Sequence, residues 1–136
     1  MSVVFEDNSI AVKKELEKAG LAWLYEASGE ICSQTQRNTA VDTGKTKGGW
    51  HTEVDERTMV ATIGSGYENA IWEEYGTGEY AAAGNGRKGG WVYKAPDGTF
   101  HYTKGKKPRR AFQRAYMKVK PKIIRRAKEI FGEVGK

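Results

Sequence analysis

The sequence predicts an α+β fold: a mainly antiparallel sheet packed by a long N-terminal helix and a C-terminal helix, with a protruding hairpin. Three observations predict it. Apolar residues recur at spacings of three and four from Ser9 to about Thr39. Two short β-rich runs follow, joined by a polar link. Helical spacing returns after Pro108 and lasts almost to the end of the chain.

The first helix carries one stripe: Val12, Leu16, Ala19, Trp23, Ala27 and Ile31. Asp7, Asn8 or Ser9 can cap its start, because a short polar side chain accepts from the free backbone N–H groups. Gly20 and Gly29 weaken it by up to ~1 kcal/mol each relative to alanine, and leave room for another element. The helix is expected to end before Val41-Asp42-Thr43-Gly44, where Asp and Gly favour a turn. Trp50-His51-Thr52-Glu53-Val54 and Met59-Val60-Ala61-Thr62-Ile63 then read as an antiparallel hairpin, linked by Asp55-Glu56-Arg57-Thr58. Tyr67 to Tyr75 reads as a short helix with Ala70, Ile71 and Tyr75 on one face, ended by Gly76-Thr77-Gly78. Gly84, Gly86, Gly89 and Gly90, with Arg87 and Lys88 among them, read as a mobile loop. Trp91-Val92-Tyr93-Lys94 and Thr99-Phe100-His101-Tyr102 flank Ala95-Pro96-Asp97-Gly98, a strong turn signal, and give the second hairpin. Pro108 fits the first turn of the last helix. Its apolar side holds Ala111, Phe112, Ala115, Tyr116 and Val119, then Ile123, Ile124, Ala127, Ile130 and Phe131. Pro121 is expected to kink or restart it, and Gly132 to stop it.

All 136 residues are read as one domain, large enough to bury a core without disulfides or metal. No apolar run approaches the ~20 residues of a bilayer span, and MSVVFEDNS has no basic start leading into an apolar stretch, so no secretory signal is expected. Cys32 is the single cysteine and is read as a buried structural thiol in a chain made in a cytoplasm.

The net charge of +6 is unevenly spread. From Lys104 onward 13 Lys or Arg face 2 Glu, a net of +11, while the preceding residues carry a net of −5. This polarity suits head-to-tail contact between copies of the chain. It equally suits a small basic nucleic-acid-binding module using the Lys/Arg-rich C-terminal helix.

The search for chemistry returns little. His51 and His101 lie in separate predicted strands, and with one cysteine they do not give a zinc spacing. Neighbouring Glu73 and Glu74 point in different directions on a helix and are read as solvated or interface charges; a hydrolase using either with His51 is a weak alternative. Gly84-Asn85-Gly86-Arg87-Lys88-Gly89 lacks the spacing of a phosphate-binding loop. No basic–aromatic array indicates single-strand recognition. Hence no catalytic residue, no metal and no cofactor is expected. Among the tryptophans, Trp23 fits the core, while Trp72 and Trp91 are the interface candidates; Trp50 opens the first strand.

Three segments in order carry a resemblance: Asn38-Thr39-Ala40-Val41-Asp42-Thr43-Gly44 after the long helix, Tyr67-Glu68-Asn69-Ala70-Ile71-Trp72-Glu73-Glu74-Tyr75-Gly76-Thr77-Gly78, and Lys107-Pro108-Arg109-Arg110-Ala111-Phe112-Gln113-Arg114-Ala115-Tyr116. With them the chain resembles the bacteriophage family of small head–tail joining proteins, which occupy the neck or tail-completion position of long-tailed phages and are often labelled minor tail components. The family pattern is V-D-T-G, then Y-A-x-x-x-E-x-G-T, then P-x-x-F-x-x-A. The chain departs from it at Asn69-Ala70, Lys45-Thr46-Lys47 and Arg110.

The resemblance implies a structural virion protein without catalysis or cofactor. It implies a homo-oligomeric ring, hexamer or dodecamer, at the head–tail junction or tail terminus, assembled in the bacterial host cytoplasm. Its implied partners are the connector or head-completion protein and the tail-tube or tail-terminator protein, with passive contact to phage DNA and none to membrane. It implies roles for particular residues. Asp42, Thr43 and Gly44 turn the chain from helix to sheet. Glu74, Gly76 and Thr77 end the short helix and launch the loop. Pro108 and Phe112 start and anchor the last helix, and the hairpin holding Trp91 and Tyr93 reaches a neighbouring subunit.

Overall fold

A polar start and an apolar stripe set the first element, α1, which runs from Ser9 to Asn38. The Asp7 carboxylate accepts from Ser9 N at 3.0 Å, while the Asn8 side chain makes no cap bond. The computed structural model describes residues 3–4, 6–39 and 45–135. One turn of helix, α2 (Lys45–Gly48), which the sequence did not announce, leads into strand β1 (Trp50–Asp55). Strand β2 (Val60–Ser65) pairs with it antiparallel, from Trp50 opposite Ser65 to Asp55 opposite Val60. The Asp55 carboxylate holds the connecting turn by accepting from Arg57 N and Thr58 N at 3.0 and 3.2 Å.

Helix α3 (Asn69–Tyr75) and a 3₁₀ turn (Gly78–Tyr80) follow. Strands β3 (Trp91–Lys94) and β4 (Phe100–Thr103) form the second antiparallel hairpin. Helix α4 (Ala111–Gly132) closes the fold. The class is α+β, as the sequence predicts, with the antiparallel pairing divided between two separate two-stranded sheets.

The core lies where α1 crosses α4. Ala27, Ile31, Val119 and Ile123 are buried there, with Trp23, Ile63 and Phe112 packed around them. Trp23 Nε1 donates to the Ile123 carbonyl at 2.7 Å, so the indole is anchored at its polar end too. Both strands of β1–β2 also lie on α1. Cys32 is buried beside this core, and burial pushes its thiol pKa up.

Three expectations are corrected here. The stripe on α1 is only partly used: Val12 and Leu16 are exposed. The reason is length. The 30 residues of α1 make a rod of about 45 Å and the 22 of α4 one of about 33 Å. The packed body begins near Gly20, where an added Cβ would come within 2.7 Å of Met59 Cε. Next, Pro108 lies outside the last helix. Arg110 takes a left-handed conformation at φ 55°, and α4 begins only after it. Finally, Pro121 does not restart α4, which runs through it as one helix. Pro121 and Met117 are both exposed, so water can satisfy the carbonyl that Pro121 cannot.

Candidate functional site

Helix α4 begins without a capping side chain, since Arg109-Arg110 precede it and the Arg110 side chain makes no cap bond. Its free amides are satisfied from a distant part of the sequence. The Glu74 carboxylate, on the last turn of α3, accepts from Phe112 N at 2.9 Å and Gln113 N at 3.0 Å. These are the second and third residues of α4, the positions an N-cap side chain normally serves. The negative charge also sits at the positive end of the helix dipole. Glu74 is therefore a cap supplied across the fold.

Glu73, its neighbour, turns to the segment just before α4. It is ion-paired with Lys106 through Oε1, and its Oε2 accepts no hydrogen bond but lies 3.7 Å from Arg109 Nε. Its backbone carbonyl accepts from Arg109 N at 2.7 Å. Both carboxylates are buried. This overturns their reading as solvated or interface charges. Their directions do differ, but both directions lead inward. The sequence held one readable signal of this: a helix start without Ser, Thr, Asp or Asn needs an acceptor from elsewhere.

The chain after α3 pairs with the chain before α4. Thr77 N donates to the Lys106 carbonyl and Glu79 N to that of Lys104, both at 2.9 Å, and Lys106 N donates to Thr77 Oγ1 at 2.9 Å. Glycine is required on this seam. Gly76 (φ 76°) and Gly78 (φ 61°) are left-handed, and a Cβ would fall 2.7 Å from the Lys106 carbonyl at the first and 2.3 Å from the Lys104 carbonyl at the second. The Pro108 ring packs on Gly76. Phe112 stacks on Trp50 with centroids 6.1 Å apart, and Trp50 Nε1 donates to Thr39 Oγ1 at 3.1 Å.

On the outside of this junction α3 presents Ile71, Trp72 and Tyr75, which are 52%, 47% and 53% exposed. A groove of about 820 Å³ runs from them past Ala81–Ala83 and Gly86 to Trp91. Cations border it. The Arg87 guanidinium lies 5.4 Å from the Trp91 ring centre, and Arg110 lies 5.7 Å from that of Tyr75. Lys106 lines the groove itself. Sequence reasoning found no basic–aromatic array because these partners come from three separate segments.

Beyond the groove stands β3–β4. Val92, Tyr93, Phe100 and Tyr102 on it are all exposed. Tyr93 faces His101 with ring centres 5.7 Å apart.

The structure thus brings Trp72, Glu74, Gly76, Thr77, Trp91, Pro108 and Phe112 into one region, with Tyr93 on the hairpin beside it. Asp42, Thr43 and Gly44 lie outside the described residues. Of the residues named for the hydrolase alternative, Glu73 and Glu74 are engaged as above, while His51 Nε2 lies 4.0 Å from Glu53 and its Nδ1 3.1 Å from the Gly49 carbonyl. Among the described residues no group of three or more His, Cys, Asp or Glu could hold a metal ion, and no helix is long and apolar enough to cross a membrane. In comparisons with known proteins, no family model matches the chain, and no curated protein or solved structure is significantly similar to it.

Proposed function

We propose that this protein is a structural virion component of a tailed phage or prophage, forming a ring at the head–tail junction or tail terminus and joining head to tail. The reading includes no catalysis and no cofactor. The observation that carries it is the junction at Glu74. Residues 67–78 and 107–116 hold two of the three ordered motifs, and they are built into one seam. Glu73, Glu74, Gly76, Thr77 and Gly78 of these segments hold that seam, and Ile71, Trp72 and Tyr75 of α3 are left outward. Such an arrangement shapes a surface for other proteins.

The test is a pull-down of the purified chain against portal-side and tail-tube proteins of the same genome. Binding to one or both is expected; binding to neither counts heavily against the reading. Particles assembled without the chain are expected to carry no joined tails.

A basic nucleic-acid-binding module is the second reading, favoured by Lys118, Lys120, Arg125 and Lys128 along α4. Lys122 and Arg126 are already spent on Glu30 and Glu26 of α1, at 3.1 and 3.0 Å. This reading predicts binding to DNA that falls steeply with salt, and absence of binding at low salt ends it.

A further inference from the structure

We infer that copies of this chain join head to tail, with the acidic tip of β1–β2 on one copy seated in the cation-bordered aromatic groove of the next. The inference rests on the reading of the chain as a self-assembling subunit and names the two surfaces that meet.

Exposed aromatic surface is the first ground. Trp72 and Tyr75 on α3 are each about half exposed, and aromatic groups of this kind dominate interface energetics.

Charge is the second ground. Arg87 and Lys106 line the groove and Arg110 lies over the Tyr75 ring that borders it; Lys106 is paired with buried Glu73, which leaves Arg87 and Arg110 to meet an occupant. An occupant with exposed carboxylates fits. The tip of β1–β2 supplies them: Glu53, Asp55 and Glu56 are exposed there, with exposed Val60 opposite Asp55 and Arg57 as the cation of the turn.

Placement is the third. Trp50 and Ser65, at one end of the β1–β2 ladder, lie beside α3. Asp55 and Val60 close the other end, about 17 Å away along the strands. Complementary surfaces at opposite ends of one molecule cannot meet within a copy. They make a heterologous contact, which closes into a ring or runs on as a filament.

Two exposed-residue variants test this by sedimentation across a concentration series. One changes the groove, Trp72→Ala with Arg87→Ala. The other changes the tip, Glu53→Lys with Val60→Lys, and spares Asp55, which holds the turn, and Glu56, which accepts from the Tyr25 hydroxyl at 2.8 Å. Circular dichroism checks that both keep the fold. Wild type is expected to associate as concentration rises, and each variant alone to associate at least about thirtyfold more weakly. Mixed in equal amounts, the variants are expected to form a dimer and stop there, since one intact tip then meets one intact groove. Wild type that stays monomeric to on the order of 1 mM overturns the inference. So does a mixture that does not pair, or folded variants that associate as wild type does. A labelled single-stranded oligonucleotide whose binding is lost on Trp72→Ala also overturns it, because the groove would then be a stacking site for bases. None of these outcomes touches the pull-down with portal-side and tail-tube proteins, so the two readings fail separately.

Discussion

Glu74 is the residue on which the junction turns. Replacing it by alanine leaves Phe112 N and Gln113 N without their acceptor in a part-buried place. Loss of a cap and of buried acceptors is expected to cost about 2 kcal/mol. Glu74→Gln is expected to recover part of that, because the amide oxygen still accepts; urea unfolding measures both. Cys32 gives a second check. Burial raises its thiol pKa, so a thiol reagent at neutral pH is expected to label it slowly in the folded protein and quickly once it is denatured. Asp97 gives a third. Its pKa is lowered by the hydrogen bonds from the Thr99 hydroxyl and backbone N–H, at 2.6 and 3.0 Å. A group lowered in the folded state stabilises above its unfolded pKa and loses that effect as pH falls through the folded one. The Thr99 amide resonance is therefore expected to hold its position from neutral pH down, and to move only below the ordinary Asp value of 3.8.

The elements were legible in the sequence to different depths. Local patterns drew α1, both hairpins and the short α3 well, because spacing and turn residues act within a few positions. Interactions across the fold were not legible in that way. The partners of Glu74 lie 38 and 39 residues along the chain, and no window of sequence contains both sides. The stripe on α1 looks continuous in sequence, yet its use depends on how far α4 reaches, which a separate segment decides. Pro121 obeyed its local rule less than its setting, on an exposed side where solvent tolerates the missing bond. Replacing it by alanine restores an N–H to α4 and is expected to stabilise the protein by at least about 1 kcal/mol, read from denaturant unfolding. Glycines separate in the same manner. Gly29→Ala meets nothing within 4 Å and is expected to stabilise α1 by up to ~1 kcal/mol. Gly78→Ala would drive a Cβ to 2.3 Å from a carbonyl oxygen and is expected to destabilise by more than that. Paired melting curves of these two variants test the contrast directly.

At the scale of the molecule, the buried apolar set is small and made mostly of modest side chains: Ala27, Ala70, Ala111 and Ala115 alongside Ile31, Val119 and Ile123. Large aromatic and aliphatic groups stand outside it. The β3–β4 hairpin is the extreme case, since four-residue strands with both faces exposed are marginal on their own. Association that buries such surface adds to folding stability by mass action. The melting temperature is therefore expected to rise with protein concentration; a melt that does not move over a hundredfold dilution would speak against assembly. The charge asymmetry seen in the sequence is divided in the same way. Part of it is spent inside the molecule, where Glu26 and Glu30 of α1 hold Arg126 and Lys122 of α4, and part remains around the groove.

The cap that α3 lends to α4 ties two distant stretches of backbone to one opening event. The amide protons of Phe112 and Gln113 cannot reach deuterated water until the carboxylate at the end of α3 lets go. Their exchange should therefore keep time with the fraying of α3 rather than with the rest of α4, and loss of the Glu74 side chain should set the two clocks running independently.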